Sequence, residues 1–520
     1  MNKTAYDETP YESYPYPECH PDRFSVMARL FGMEPPAKRN FRYLEIGCAG
    51  GGNIIPLALQ YPESEFLGID YAQVQVDFGK RIIHDLELKN VTIQQSDIME
   101  LEDSLGRFDY IVAHGIYSWV PDPVRERLMK VFKQLLKPEG IAYVSYNVYP
   151  GWKLREIIRD MMRFQSRSVS DIEDKSNKAL SFVQATHEAL KNDNSTYATV
   201  LKNECSTAVK ALSGLVIHDY LAAVNQPVYF HDFVGHIEKE GLSYFADTDF
   251  YTIPSINKKP EAIDALVKRV DGMLELEQHT DYVKNRYFRR SLLVHDGREL
   301  GYHVKNEAFK EMHFTLVGHP KFSGNVNLKN GAKVEFTIAG DKKTVCQDPI
   351  SKCVLMMLGE AWPKTLSYKD LSKSLKKKLK NLTTETEIEQ GLCLVLRSMY
   401  AQNFISIFNE KLNVVNKLSN KPEADPYIRY EATFKKWVTN GRNEVRVIDE
   451  FAQNLLQFVD GKRDRKQLQE KMVEVVKQGV LPLYDGRGQL VTDDAVINRS
   501  VKQAIETSLN SFVTHAFLIS

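Results

Sequence analysis

A glycine-rich loop at residues 45–53, which reads EIGCAGGGN, is the part of the chain whose residue types most directly indicate chemistry. It follows a short apolar run and precedes a second one, in which Pro56 is tolerable only in the first turn of a helix. Glycines let the backbone turn tightly and approach a ligand without a Cβ clash. The free N–H groups at a helix start favour a negatively charged group. The loop therefore predicts a nucleotide-like cofactor at the edge of a parallel sheet.

Residues around this loop distinguish between two cofactor classes. A dinucleotide-binding loop needs glycine at position 49, which is Ala49 here, and usually has an apolar residue in place of Glu45. Asp70, at the end of the second strand, can accept ribose hydroxyls in either class, and Asp97 after the third strand suits an adenine amino group. These features favour S-adenosylmethionine, and the alternative is a loop that holds no cofactor. The predicted cofactor-binding residues are Glu45, Gly47, Cys48, Ala49, Gly51, Asn53, Asp70, Tyr71, Ser96, Asp97, Ile98, His114 and Gly115.

The methyl acceptor should bind at the carboxyl ends of strands four and five of such a sheet. His114, Tyr117 and Trp119 follow strand four, and Tyr146 lies at the end of strand five. Aromatic rings at this edge can form a channel for an amine, with about 0.5–2 kcal/mol from each cation–π contact. We predict catalytic roles for these four residues, and no metal ion is needed. The alternative for each is a core residue whose hydrogen bonds are already satisfied.

The elements that position these residues follow from hydrophobic periodicity. Strand-like and helical patterns alternate from residue 41 to 147, which predicts right-handed crossovers and an α/β fold with a parallel sheet. Residues 153–225 are helical in pattern and form an insertion. A helix that ends at Gly241 and a strand-like run at 242–246 predict that the sheet is completed near residue 250.

Three helical patterns at 350–359, 368–375 and 387–401 precede a strand-like run at 404–408, which is a winged-helix-like order. A second unit of this kind is expected from residue 447 to 480. The predicted domains are a cofactor-binding core at 1–250 with its helical insertion at about 153–225, a middle segment at 218–310, and a winged-helix-like C-terminal domain at 320–520.

Composition limits the function classes. Lys and Arg total 68, as do Asp and Glu, so the formal net charge is zero and nothing global favours a nucleic-acid partner. The six cysteines lack a zinc-ligand spacing and fit free thiols in a reducing compartment. The polar N-terminus and the lack of an apolar stretch of about 20 residues predict an intracellular, cytoplasmic protein without a membrane span. The Tyr- and Pro-rich segment 6–22 is expected to pack over the cofactor, and the alternative is a disordered tail.

The loop, Glu45, Asp70 and Asp97 together resemble the class I S-adenosylmethionine-dependent methyltransferases. A narrower resemblance, to the members that carry a methyltransferase regulatory domain, rests on the motifs YDETPYESYP (6–15), CHPD (19–22), YSWVP (117–121), YNVYPGW (146–152), HDYL (218–221), NQPVYF (225–230) and NRYFR (285–289). The rickettsial protein-lysine methyltransferases belong to this group and modify an outer-membrane surface protein.

The resemblance implies a protein-lysine N-methyltransferase that produces S-adenosylhomocysteine and acts on a bacterial surface protein before export. It also implies that Glu45 lies near the amino group of the cofactor. Three alternatives remain open: a small-molecule acceptor, another protein side chain, and a non-catalytic scaffold that binds the cofactor. The insertion and the C-terminal region could also form a homodimer that frames a protein-sized cleft.

Overall fold

A computed structural model of the chain describes residues 11–210, 216–254, 256, 261–301, 303–321, 326–340 and 342–520. The chain divides into two compact units. Unit 1 comprises Met1–Ser13 and Pro35–Leu300, and unit 2 comprises Tyr14–Glu34 and Gly301–Ser520. No sequence pattern had indicated that residues 14–34 group with the C-terminal region.

The strands of the two units form four sheets. The strands are β1 (Arg42–Ile46), β2 (Glu65–Asp70), β3 (Val91–Gln95), β4 (Phe108–Ala113), β5 (Leu136–Asn147), β6 (Leu242–Asp247), β7 (Phe288–His295), β8 (His313–Leu316), β9 (Val334–Ala339), β10 (Lys342–Cys346), β11 (Leu366–Ser367), β12 (Ile405–Phe408), β13 (Trp437–Thr439) and β14 (Val445–Val447).

The first helix belongs to unit 2, the helices between residues 35 and 300 belong to unit 1, and the later ones belong to unit 2. They are α1 (Pro21–Leu30), α2 (Ile54–Gln60), α3 (Gln73–Asp85), α4 (Asp122–Leu135), α5 (Gly151–Ser166), α6 (Ile172–Ala189), α7 (Thr196–Lys210), α8 (Phe230–Lys239), α9 (Glu261–Val267), α10 (Met273–Lys284), α11 (Pro349–Ala361), α12 (Tyr368–Lys378), α13 (Glu385–Ala401), α14 (Pro426–Glu431), α15 (Glu450–Leu456), α16 (Arg465–Lys477) and α17 (Asp494–Thr514). One π-helical turn, Val216–Tyr220, follows α7.

Unit 1 contains a seven-stranded sheet with the order β3-β2-β1-β4-β5-β7-β6. Strands β1 to β5 pair in parallel, and β7 is antiparallel to both β5 and β6. The register aligns Ile46 with both Ile69 and Ala113. Because the five parallel strands run in the same direction, their carboxyl ends meet at one edge of the sheet.

The predicted α/β class and all five parallel strands are confirmed, but the prediction that the sheet closes near residue 250 is wrong. Strand β6 is the edge strand, and β7 inserts between it and β5, so the sheet closes at His295. The sequence conceals β7 because two adjacent arginines, Arg289 and Arg290, follow its first residue. Arg289 is nevertheless fully buried, with Asp281 and Glu277 within 2.9 Å of its guanidinium nitrogens.

The predicted helical insertion is confirmed as α5, α6, α7 and the π-helical turn. These helices bury an apolar cluster of their own, which includes Ile158, Met162, Val183 and Cys205. Within the described ranges, we find no helix whose length and hydropathy would let it span a bilayer.

Unit 2 contains two helix-and-strand modules. In the first, α11, α12 and α13 accompany a three-stranded sheet with the order β11-β8-β12. The second is longer than the predicted range 447–480, since α14 and α17 bury side chains in the same core as α15 and α16. Residues 14–34 are anchored in this unit by the Asp22 carboxylate, which accepts hydrogen bonds from the backbone and side-chain amides of Asn409.

Candidate functional site

The glycine-rich loop connects β1 to α2, and several of its residues have the left-handed backbone conformation. Gly47 and Gly51 have φ angles of +72° and +79°, and Ala49 has a φ of +47°. A Cβ atom on Gly47 would lie 2.2 Å from Cδ1 of Ile116. The loop therefore requires glycine at position 47 both for its conformation and for the close approach of the segment that follows β4.

Glu45 is a buried carboxyl group with 3% of its surface exposed. Its Oε2 accepts a hydrogen bond of 3.1 Å from Nδ2 of Asn53. Burial raises the pKa of Glu45 to about 8, the Asn53 hydrogen bond opposes this shift, and the nearby Asp70 carboxylate adds to it. A cation placed against this carboxyl would favour its ionised form. The site thus fits the amino group of an amino-acid-like cofactor.

Asp70 fixes the conformation of the loop as well as lining it. Its Oδ2 accepts a hydrogen bond of 2.8 Å from the backbone N–H of Ala49, and its Oδ1 accepts one of 2.9 Å from that of Ala72. The Asp97 carboxylate accepts from the backbone N–H of Met99 at 2.9 Å. Both carboxylates lie at the sheet edge where the ribose and adenine contacts were predicted, and those contacts remain predictions.

The remaining predicted cofactor residues lie along the same edge. The backbone N–H of Ser96 donates to the carbonyl of Asp70 at 3.0 Å, which places the ends of β2 and β3 side by side. Cys48 is buried against Gly68 of β2, and Ile98 is half-buried. Tyr71 is 37% exposed, so it offers an accessible ring next to Asp70. These residues therefore lie at or just after the carboxyl ends of β1, β2 and β3.

Residues 11–13, which belong to the Tyr- and Pro-rich segment 6–22, pack against the glycine-rich loop. The Ser13 hydroxyl accepts a hydrogen bond of 2.7 Å from the backbone N–H of Gly52. Gln75 Nε2 donates to the carbonyl of Tyr11 at 2.7 Å. A Cβ on Gly52 would lie only 2.1 Å from the Ser13 carbonyl oxygen. Of the segment 6–22 that was expected to cover the cofactor, residues 6–10 lie outside the described part of the chain.

Two of the four predicted catalytic residues have hydroxyls engaged within the core. Tyr117 is 2% exposed, and its hydroxyl lies 2.8 Å from Nδ1 of His236. Tyr146 is 1% exposed, its ring stacks on Phe233 at 4.0 Å between centroids, and its hydroxyl lies 2.9 Å from Oγ of Ser291. Their catalytic roles stay predictions, and these contacts favour the packing alternative.

The other two predicted catalytic residues are more accessible. His114 is half-buried, and its Nδ1 lies 2.8 Å from the hydroxyl of Tyr143. Gly115, which was predicted to contact the cofactor, has a φ of +68° and donates its N–H to Oγ of Ser145 at 2.8 Å. Trp119 is half-buried and meets Trp152 edge to face, with 6.1 Å between ring centroids.

The segment after β4 is held in place by residues near 225–236. Arg125 on α4 donates from Nε to the carbonyl of Tyr117 at 2.7 Å and from Nη2 to the carbonyl of Gln226 at 2.6 Å. The Ser118 hydroxyl accepts from the N–H of Asn147, and its carbonyl accepts from the N–H of Gln226, both at 2.8 Å. The edge formed by β4 and β5 is therefore completed by a distant part of the chain.

Sequence reasoning missed Arg125, Asn147, Trp152, Asn225 and His236 at this edge. Three of them stand in the motifs YNVYPGW and NQPVYF, whose concentration of aromatic, amide and proline residues was a usable signal. Arg125 and His236 carried none, because each lies in an amphipathic helix where charged residues are expected on the surface. In the part of the chain that the structure describes, no three His, Cys, Asp or Glu side chains gather to form a possible metal site.

A Rossmann-like sheet of this strand order, with a glycine-rich loop after β1 and acidic residues at the ends of β1 and β2, defines a class I methyltransferase. Family models agree with this class. One described as "Methyltransferase domain" matches residues 37–211, and one described as "Predicted methyltransferase regulatory domain" matches residues 213–295. A third, "PKMT, C-terminal winged helix domain", matches residues 420–517.

One curated relative and one solved structure match over nearly the whole chain, and a second relative matches over about half of it. The uncharacterized protein RP789 of Rickettsia prowazekii is 33% identical over 99% of this chain and 93% of its own length. The uncharacterized protein RP028 of the same organism is 37% identical over 46% of this chain and 96% of its own length. The structure of PKMT2 from Rickettsia typhi, also solved in complex with AdoHcy, matches with a TM-score of 0.88 and 27% identity over 98% of this chain and 100% of that one.

The chain belongs to the family of class I S-adenosylmethionine-dependent methyltransferases that carry a methyltransferase regulatory domain and a PKMT-type winged helix domain.

Proposed function

We propose that this methyltransferase transfers methyl groups to lysine side chains of a protein, and that its target is a bacterial surface or outer-membrane protein modified before export. The observation that carries the proposal is the similarity across 98% of the chain to PKMT2 from Rickettsia typhi, whose name agrees with the resemblance to the rickettsial protein-lysine methyltransferases. The match of residues 420–517 to a winged helix domain of the same group adds independent support.

The residues of unit 1 fit S-adenosylmethionine. In this proposal Glu45 holds the amino group, Asp70 the ribose hydroxyls and Asp97 the adenine, while the glycine-rich loop gives the methionine end room to approach the backbone. When bound, the cofactor supplies a methyl group on a positively charged sulfur. The task left to the protein is to bring a neutral amine to that methyl group in line with the departing sulfur.

A free lysine has a pKa near 10.4, so its amine must lose a proton before it can act as a nucleophile. A desolvated site favours the neutral amine, because burial disfavours its charged form. The half-buried Trp119 and the buried Trp152 provide such an apolar wall beside the end of β5. Orientation of the amine can lower the barrier by about 7–11 kcal/mol.

Two further aspects belong to the proposal. We infer a cytoplasmic location, since a surface protein modified before export is met inside the cell. We infer a homodimer as the functional form, with the helical insertion as a contact region. Phe164 and Tyr197 of the insertion are 66% and 60% exposed and would be covered in such a contact.

The decisive experiment is to incubate the protein with methyl-labelled S-adenosylmethionine and a urea-unfolded, then diluted, outer-membrane protein fraction. Mass spectrometry then locates the label. We expect one or more labelled methyl groups on lysine side chains, each in place of a hydrogen atom. Asp70→Ala, which removes the carboxylate that holds the loop, serves as the inactive control.

Each other outcome selects an alternative. Label only in small molecules would indicate a metabolite acceptor, and label on residues other than lysine would indicate another protein side chain. Binding of S-adenosylmethionine by calorimetry without any label would favour a non-catalytic scaffold. Light scattering that finds only a monomer at assay concentration would refute the dimer.

A further inference from the structure

Helix α12 of unit 2 carries a row of lysines on its outer face. The apolar residues of the helix are buried on one side. Lys369, Lys373 and Lys377 are exposed, and their spacing of four residues places them in a row on the opposite side. These three residues are termed the lysine stripe. The salt bridges of α12 are made by Lys376 and Lys378, whereas the stripe lysines form none with the described residues.

The fold of α12 does not require this arrangement of charge. Like charges four residues apart on a helix repel each other and destabilise it. The helix has one carboxylate, Asp370, which is engaged at the helix start, where it accepts a hydrogen bond of 2.6 Å from the Ser367 hydroxyl. Lys380, exposed in the turn after α12, adds positive charge at the other end. This local excess of positive charge, in a chain whose formal net charge is zero, predicts an anionic partner.

Acidic side chains border the stripe and restrict the shape of that partner. On one side of Lys377, Glu389 of α13 pairs with Lys376 at 2.6 Å, and on the other side Glu360 of α11 lies 3.9 Å from Lys378. The side chains of these two glutamates are 61% and 56% exposed. A broad anionic surface such as a lipid bilayer would meet them together with the stripe and be repelled by them. A narrow, linear polyanion that lies along the helix would meet the lysines alone.

The spacing of the stripe matches an extended polypeptide. Lysines four residues apart on a helix are about 6 Å apart along its axis. Every second side chain of an extended strand points to the same side, about 6.6 Å from the previous one. Single-stranded nucleic acid is the other linear polyanion, but proteins that bind it supply aromatic rings on which the bases stack. Apart from the buried Tyr368, α12, which is described throughout, has no aromatic residue.

We propose that the lysine stripe binds an extended acidic segment of the acceptor polypeptide, in which Asp or Glu occupies alternate positions. This surface rests on the proposed function, since it requires a protein acceptor, and it adds a second contact to that acceptor in unit 2. A second contact raises the effective concentration of the acceptor at the enzyme and takes no part in methyl transfer. It therefore acts on the KM for the protein acceptor and leaves kcat unchanged.

The first measurement is binding of two fluorescent peptides to the full chain by anisotropy. Both peptides lack lysine and have the same composition, but one alternates Glu with Ser and the other has its Glu residues in one block. The alternating peptide should bind at least about threefold more tightly, because one side of the strand then carries every carboxylate. Joint replacement Lys369→Gln, Lys373→Gln and Lys377→Gln keeps good helix formers and should weaken this binding at least about tenfold at low ionic strength.

The matched control is the joint replacement Lys466→Gln, Lys471→Gln and Lys477→Gln on α16. It removes the same charge from three lysines that have acidic neighbours, and it should leave the Kd for the alternating peptide within about twofold. The second measurement is methyl transfer to the urea-unfolded outer-membrane fraction. The stripe variant should raise the KM for this acceptor at least about fivefold with kcat unchanged, and the α16 variant should not.

Equal binding of the two peptides, or equal effects of the two triple variants, would overturn the stripe as a polypeptide site. Stripe-dependent binding to phosphatidylglycerol vesicles or to oligodeoxythymidylate that exceeds binding to the alternating peptide would also overturn it. An unchanged KM in the stripe variant would overturn the acceptor protein as the partner. Absence of lysine label with the wild-type protein would refute the proposed function, and the peptide measurement would still decide whether the stripe binds acidic polypeptides.

Discussion

The ends of β1 to β3, the predicted cofactor edge, and the ends of β4 and β5, the predicted acceptor edge, belong to one sheet but are built in different ways. The cofactor edge uses residues 45–53, Asp70 and Asp97, which close contacts connect within about fifty positions of sequence. The acceptor edge joins the segment 117–119 to Asn147, Gln226 and His236 through contacts that span up to 119 positions. A local structure can therefore bind the cofactor, whereas the acceptor side depends on a segment contributed from far along the chain.

This difference shows what the segment matched by the regulatory-domain model contributes to the structure. Within residues 213–295, β6 and β7 complete the sheet, and Phe233 of α8 stacks on Tyr146 of β5. The segment is thus an integral part of the catalytic unit. Changes in it should reduce methyl transfer before they reduce cofactor binding.

The largest effect is expected from Arg289→Met in β7. The substitution leaves Asp281 and Glu277 buried without their cation, and breaking a buried ion pair on one side costs about 3–5 kcal/mol. In differential scanning calorimetry, the unfolding transition of the unit that S-adenosylmethionine stabilises should occur at a lower temperature. Arg81→Met on the exposed face of α3 should shift it little. Equal, small shifts in both variants would mean that β7 is dispensable for unit 1.

Gly47→Ala should weaken cofactor binding at least about 30-fold. The φ of +72° strains an alanine by about 1–2 kcal/mol, and displacement of Ile116 by the new Cβ adds about 1–3 kcal/mol. Gly297→Ala is the control, because its φ of +83° also strains an alanine but the new Cβ would have no neighbour within 4 Å. It should leave the Kd for the cofactor unchanged. A Gly47→Ala protein that binds with wild-type affinity would exclude this loop as the binding site.

Glu45 should make cofactor affinity depend on pH. Its pKa of about 8 in the free protein means that it is mostly protonated at neutral pH, and it must lose that proton to hold an ammonium group. Affinity should therefore rise by up to about tenfold per unit between pH 6 and 7.5, which is the slope of a single proton release. The α-amino group of the ligand titrates near pH 7.7–8.0, so the measurement stops below that range.

Glu45→Gln is the control for this pH dependence, because the same ligand titration applies to it. It should bind more weakly than wild type at pH 7.5 and show a flat profile from pH 6 to 7.5. A wild-type profile that is equally flat, or that falls with rising pH, would show that Glu45 is not the partner of the amino group.

The smallest effect is expected from Tyr117→Phe and Tyr146→Phe. If these tyrosines pack the core, loss of a hydroxyl that bonds to His236 or Ser291 costs about 0.5–1.5 kcal/mol of stability and changes kcat by less than about threefold. General acid–base participation would instead lower kcat about 10²- to 10⁴-fold. Initial rates with saturating acceptor distinguish the two roles.

The sequence predicted the parts of the site whose functional residues are neighbours along the chain. Glu45 and the loop glycines are adjacent in sequence, so their spacing alone defines the turn and its acidic neighbour. The aromatic residues near 114–146 were correctly placed at the edge, but their burial depends on Phe233 and His236, which no local pattern connects to them. Strand β7 was not predicted because arginines are typical of the protein surface. The sequence does not show that Arg289 is buried in an ion pair with Asp281.

The most direct test of the central claim is a paired measurement on Arg125→Met, with methyl transfer to the unfolded outer-membrane fraction and calorimetric cofactor binding determined on the same protein. Arg125 joins the carbonyls of Tyr117 and Gln226, so its loss should release the acceptor edge while sparing the cofactor edge. We predict that kcat/KM for the protein acceptor falls at least about tenfold, equivalent to one lost charged hydrogen bond, while the Kd for S-adenosylmethionine stays within about twofold. Unchanged transfer, or an equal loss of cofactor affinity, would contradict a separately assembled acceptor edge.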